Sequence, residues 1–214
     1  MSTSRYPGYD VLRKRDTPSW DAITRKVIEE RLNTPSDPQF LDAVRWRALQ
    51  ALCTCIIPQP SDRPQVPLAG MIDMRLHANA GDGFRYARLP PLRDAWLTGL
   101  DALDKESKMR HELPFASIER DARNALLKQW QHGELNSEHW HGMDSQLFFT
   151  QRVLPDICGA YYSHPYAWNE IGFGGPASPR GYVRMYYDRR DPWEAVEAKP
   201  GKEQEALKEN RRVR

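Results

Sequence analysis

Phe40-Leu41-Asp42-Ala43-Val44-Arg45-Trp46-Arg47-Ala48-Leu49-Gln50-Ala51-Leu52-Cys53-Thr54-Cys55-Ile56-Ile57-Pro58 is the stretch whose pattern decides the fold. Phe40, Leu41, Val44, Ala48, Leu49, Leu52, Cys55 and Ile56 recur at the spacing of one face of an α-helix. Asp42, Arg45, Arg47 and Gln50 fall outside that stripe. Ser36-Asp37-Pro38 supplies the start, and Pro58, which has no backbone N–H to donate, supplies the stop.

The same period extends outward in both directions. Towards the amino terminus, Thr17-Pro18 predicts an N-cap and first helical residue ahead of Trp20, Ile23, Val27, Ile28 and Leu32. Asn33-Thr34-Pro35 breaks that helix. Downstream, a proline-rich connector over 60–67 leads into a short helix over 68–79 carrying Met71, Ile72 and Leu76. Leu92, Ala95, Trp96, Gly99, Leu100 and Leu103 mark the next helix. Ser117 is the expected cap of another, which carries Ile118, Ala122, Ala125, Leu126 and Trp130 and is closed by Gly133. A last helix opens at Asp144-Ser145 and carries Leu147, Phe148, Val153, Leu154 and Ile157, with a kink expected at Pro155. Few runs alternate with period 2. The prediction is an all-α fold: an amino-terminal extension over 1–16, then a single domain of about six helices over 17–162.

Composition narrows the function. The 214 residues (24.8 kDa) have a mean hydropathy of −0.75, yet they include 7 Trp, 9 Tyr and 6 Phe, too many aromatics for a disordered chain. Thirty-one basic against 29 acidic residues give +2, which argues against nucleic acid or a charged membrane surface as partner. No 18 apolar residues run together, so no bilayer span is expected. Residues 1–30 contain no apolar core of an export signal, and Arg13-Lys14-Arg15-Asp16 lacks the apolar sequel of a twin-arginine signal. Taken alone the chain reads as cytoplasmic. Cys53, Cys55 and Cys158 are an odd count; Cys53 and Cys55 point to different faces of one helix, and all three read as small buried apolar residues.

After Tyr161 the character changes. Residues 163–193 hold four Gly, four Pro and seven aromatics in 31 positions, too broken for a helix and too aromatic for a linker. The segment 163–196 is therefore expected to be an extended arm whose surface is completed by another molecule, because Trp, Tyr and Arg concentrate at the centres of interfaces. Residues 197–214, with six basic and four acidic side chains, are expected to be a charged mobile tail or a frayed helix.

Catalytic readings find little support in the residues. Ile171-Gly172-Phe173-Gly174-Gly175-Pro176 resembles a phosphate cradle, but Ala177 stands where a third glycine is needed, and Pro176 and Pro179 interrupt any following helix. His139-Trp140-His141, with Cys158 and His164, lacks a second pair at ligand spacing. Ser163 and Ser178 have no nucleophile elbow. Arg180, Arg184, Arg189 and Arg190 interleave with Tyr182, Tyr186 and Tyr187, a pattern that stacks on RNA, but Asp188, Asp191 and Glu194 dilute the charge and favour a protein partner.

Cys55-Ile56-Ile57-Pro58, and above all Trp168-Asn169-Glu170-Ile171-Gly172-Phe173-Gly174-Gly175-Pro176-Ala177-Ser178-Pro179-Arg180-Gly181-Tyr182-Val183-Arg184-Met185, resemble the gluconate 2-dehydrogenase subunit 3 family. The resemblance spans about residues 36–195. It implies a small, non-catalytic subunit with no cofactor of its own. The expected partner is a large FAD-binding dehydrogenase of the glucose–methanol–choline type that oxidises sugars, polyols or glycosides, with a cytochrome c subunit as electron acceptor. The small subunit is expected to serve its partner's folding, cofactor loading or export. Many members begin with a twin-arginine signal; this chain departs from them there, so the complex is cytoplasmic or the partner carries the signal. Trp168, Glu170, Phe173, Gly174, Gly175, Pro176, Arg180, Gly181, Tyr182, Arg184 and Trp193 are the expected partner-binding residues. Two other readings stay open: a stand-alone enzyme with a small-molecule pocket of Trp168, His164 and Arg180, and a chaperone that leaves the mature complex.

Overall fold

A computed structural model describes residues 4–81, 83, 87–176, 181 and 190–213. Among these residues every regular element is helical, as the periodicities require. The elements are α1 (Ala22–Leu32), α2 (Ala43–Ile56), α3 (Leu68–Ala78), α4 (Leu92–His111), α5 (Arg120–His132), α6 (Ser145–Phe148), α7 (Leu154–Tyr162), α8 (Pro165–Ile171) and α9 (Glu203–Asn210). No helix of the described residues is long and apolar enough to cross a membrane.

Helix starts differ from expectation in an instructive way. Asp21, not Thr17, caps α1 by accepting from Thr24 N at 2.7 Å. Asp42 caps α2, accepting from Val44 N and Arg45 N at 2.9 and 3.0 Å, so Phe40 and Leu41 lie before the helix. Helix α5 starts after Glu119 rather than at Ser117. Several Ser, Thr and Asp stood near each start, and the cap falls to the one whose backbone is extended when the next residues turn helical. At Pro155 the expected kink is a π-helical turn over Phe149–Val153. The missing proline N–H and the bulk of its ring deny the carbonyl four residues earlier its usual donor, and a wider turn accommodates both.

The chain divides into two compact units: a central one, Thr34–Ala160, and a terminal one that joins Met1–Asn33 to Tyr161–Arg214. The core of the central unit is aromatic. Trp130 lies 5.1 Å from Trp140 and 5.0 Å from Phe149 between ring centroids, and Phe148 meets Trp96 edge-on at 5.6 Å. Phe148 fits across α4 only because Gly99 is glycine: a Cβ there would sit 2.3 Å from Phe148 Cε1. Buried carboxylates tie the layers together. Asp73 accepts from the backbone of Gln39, Phe40 and Leu41, and Asp156 accepts from Trp96 Nε1 at 2.9 Å and pairs with Arg75 and Arg152 at 3.0 Å. Arg45 grips Asp101 with two bonds of 2.8 and 2.7 Å, joining α2 to α4. Along α2 the buried residues are Ala48, Leu49, Ala51, Leu52 and Cys53, while Val44, expected inside, is 49 % exposed.

The terminal unit is built from both ends of the chain. Its core is Tyr9, Val11, Trp20, Ile28, Trp168 and Val213, drawn from three separate stretches of chain. The extension 1–16 and α1 thus belong with the carboxy-terminal residues. Residues 165–171, expected to be irregular, form α8: Pro165 sits at the first position, where its missing N–H costs nothing, and His164 caps it. The tail, expected to be a mobile segment or a frayed helix, contains α9 with Ala206 and Asn210 buried. Asn210 holds the chain ends together, accepting from Val196 N at 2.7 Å and donating to Pro7 O and Val196 O at 2.9 Å. One buried amide thus orders a segment whose charge made it look solvated.

Candidate functional site

The glycine-rich start of the arm is held from beneath by the amino-terminal segment. Asp10 caps a 3-10 turn over Val11–Lys14 through Leu12 N at 3.1 Å, and that turn faces α8. Val11 N donates to Asn169 Oδ1 at 2.8 Å, and Asn169 Nδ2 donates to Asp10 Oδ1 at 3.3 Å. Tyr9 Oη donates to Phe173 O at 3.0 Å. Lys14 is fully buried, and its Nζ donates to Gly174 O at 2.9 Å beneath the Tyr9 ring. A buried ammonium needs such partners, and here one of them is the backbone of the arm.

Two glycines are required by this geometry. Gly172 ends α8 in the left-handed region (φ +68°), and a Cβ there would lie 2.5 Å from the Tyr6 ring. Gly175 has φ +70° and packs against Val11, Trp168 and Trp20, each within 3.3 Å of where a Cβ would be. The run is therefore used for close packing inside the terminal unit. It follows a helix instead of a strand, so these residues do not fit a dinucleotide cradle.

Trp168 is the centre of the platform. Only 2 % of it is exposed. Its Nε1 donates to Tyr162 O at 2.7 Å, Phe173 meets its ring edge-on at 5.6 Å, and the Arg31 guanidinium lies 5.8 Å from its centroid. Arg31 also donates to Ser163 O at 2.6 Å, and burial holds its pKa below the usual value. His164 is fully buried; its Nδ1 accepts from Tyr166 N at 3.2 Å, and its Nε2 has no partner. Burial pushes the His164 pKa down to about 4, outweighing the raising pull of the Arg31 backbone, and the Arg31 charge lowers it further.

The expected partner-binding residues thus separate into groups. Trp168 and Gly175 are interior, and they support the surface instead of forming it. The platform brings Phe173 (39 % exposed) and Gly174 together with Trp168, while Glu170 and Pro176 are half-buried on the same segment. Gly181, in open space at φ +80°, and the half-buried Trp193 belong to the rest of the arm. Arg180, Tyr182 and Arg184 lie outside the described residues. Trp168 and His164, named for an alternative small-molecule pocket, are both interior. Two exposed residues had been passed over. Tyr162 (55 % exposed) flanks Trp168 through its backbone, and Ile171 (46 % exposed) follows Trp168 by one helical turn. Only their apolar character, Ile171 within the quoted motif and Tyr162 just before it, could have marked them.

Among the described residues no group of three or more His, Cys, Asp or Glu is placed to hold a metal ion. Trp140, between His139 and His141, is a core residue, and His139 Nδ1 lies 3.3 Å from the buried Glu106. Comparison with known proteins gives one match: residues 43–175 fit the family described as gluconate 2-dehydrogenase subunit 3. That span covers more than half of the chain, from α2 to the second glycine pair of the arm, and is narrower than the 36–195 expected. No curated protein and no solved structure matches the chain. On the extent of that match, the chain belongs to the gluconate 2-dehydrogenase subunit 3 family.

Proposed function

We propose that this chain is the non-catalytic small subunit that binds, stabilises and helps mature a large FAD-dependent dehydrogenase of the glucose–methanol–choline type acting on sugars or glycosides. Family membership carries the general statement, a subunit of a dehydrogenase complex. The observation that supports the finer one is the exposure of Tyr162, Ile171 and Phe173 around a Trp168 platform fixed by buried Tyr9 and Lys14. Grouped large apolar residues on a rigid base are what a partner's apolar surface can cover. A permanent interface of this kind buries more than about 2,000 Å² in total, so the platform is its centre and not its whole extent. FAD and hydride abstraction belong to the large subunit, and a cytochrome c subunit takes the electrons onward.

Co-expression with a large flavoprotein subunit tests this. Truncation at Ser163 is a poor test, since it also removes Trp168 and Val213 from the core of the terminal unit. Phe173→Asp and Tyr162→Asp place a charge on the surface and leave the core intact; both are expected to lower co-purification and flavin loading. Met109→Asp, at a site 54 % exposed in the central unit, is the control expected to do neither. A fully flavin-loaded complex formed by both platform variants refutes docking there. Turnover of sugar by the isolated chain with an artificial acceptor refutes the non-catalytic role.

A further inference from the structure

The central unit carries a cleft that the docking reading leaves unused. Two adjoining hollows, of about 210 and 240 Å³, share Thr54, Gln59 and Gln65 as common walls. The common wall is fixed: Gln59 accepts from Val66 N at 2.7 Å and donates back to Val66 O at 3.0 Å, so both ends of its amide hold the loop over 59–66. Trp46, Val66 and Leu68 form the apolar part of the first hollow, with Ser36, Gln50 and Thr54 among its polar lining.

The second hollow is cationic. Arg120 and Arg123 line it from the first turn of α5, three residues apart and therefore on one face. Glu119 makes no side-chain cap there, so the free N–H groups of the helix start add to the positive end. Arg123 donates its Nε to Ile118 O at 2.9 Å and also hydrogen-bonds the Cys55 thiol, which fixes its guanidinium beside the hollow, and Arg120 makes no ion pair with a described residue. Both guanidiniums act on the Cys55 thiol, drawing its pKa down against the larger upward push of burial, and so face the carboxyl end of α2. The neighbouring carboxylates Glu119 and Asp121 are not among the lining residues.

We propose that this joined cleft binds a ligand with an apolar, ring-sized body and a terminal carboxylate, the body on Trp46, Val66 and Leu68 and the carboxylate between Arg120 and Arg123. A planar guanidinium fork matches a carboxylate with two parallel bonds, and a pair of forks on one helix face discriminates against a neutral amide. A free organic acid and the carboxy-terminal residue of a polypeptide share this chemistry.

The proposal is independent of the docking role and is read on the isolated full-length chain by NMR. N-acetylphenylalanine is expected to shift the amides of Thr54, Gln65, Arg120 and Arg123 and to saturate in the millimolar range or tighter. Its amide analogue is expected to bind at least about tenfold more weakly, the loss of one charge-assisted contact. Arg120→Gln, which removes no ion pair of the fold, is expected to weaken the acid by about tenfold and leave the amide unchanged. A short peptide ending in phenylalanine separates the two sources: tighter binding than the free acid identifies a chain end, and equal binding a small molecule. Equal binding of acid and amide, an Arg120→Gln variant that keeps the acid's affinity, or shifts that never saturate each overturn the proposal.

Discussion

Lowering the pH from 7 to 5 is expected to cost the terminal unit about 2 kcal/mol through His164 alone. The ring is fully buried, accepts from Tyr166 N through Nδ1 and so carries its neutral proton on Nε2, which has no partner, with Arg31 nearby. Protonation would place a second cation beside the Arg31 guanidinium in a site that water cannot reach. In the folded chain the pKa is about 4, against an ordinary 6.5. Between these values the unfolded chain binds the proton and the folded chain does not, so stability rises with pH across this window. The contribution is complete above 6.5, is lost progressively as the pH falls, and levels off below 4. At about 1.36 kcal/mol per pKa unit, the two titration curves differ by about 2 kcal/mol at pH 5 and by a few tenths at pH 7. His164→Asn isolates the effect, because Asn keeps the capping acceptor and does not titrate. Urea midpoints of wild type and variant, measured at both pH values, should converge by that amount on acidification as the variant escapes the loss. Parallel curves, or an NMR titration placing His164 near 6.5, refute the reasoning.

Four further substitutions follow from the packing. Asp73→Ala leaves the backbone N–H groups of Gln39, Phe40 and Leu41 without their acceptor and should destabilise the central unit by about 3–5 kcal/mol in chemical denaturation. Gly99→Ala drives a methyl into Phe148 and should cost about 1–3 kcal/mol, visible as a lower Tm with the helical signal retained. Gly175→Ala combines a left-handed backbone with contacts to Val11, Trp168 and Trp20; a loss of about 2–3 kcal/mol is expected, together with weaker flavoprotein binding if the platform docks. Lys14→Met keeps the volume and removes the bond to Gly174 O, so hydrogen exchange should quicken at residues 172–176 and stay unchanged in α4.

That the chain is helical was legible in the residues alone, because the apolar stripes repeat at 3.6 residues and several stops, Pro58 and Gly133 among them, have one local reading. The family too was legible there, in a motif whose Gly172 and Gly175 are constrained by left-handed backbone and close contacts. Tertiary structure alone decided which stripe meets which. The face of α1 that buries Ile28 packs with Trp168 and Val213 from the other end of the chain, and periodicity can say that a face must be covered but never by what. For the same reason Trp168, the most prominent residue of the motif, is interior, while Tyr162 and Ile171 stand exposed. The tail is held as α9 by buried Ala206 and Val213 and by the Asn210 amide, bonded to backbone 203 residues away at Pro7. Local sequence carries propensity and pattern, whereas the partner of a buried polar atom is fixed only when distant segments close around it.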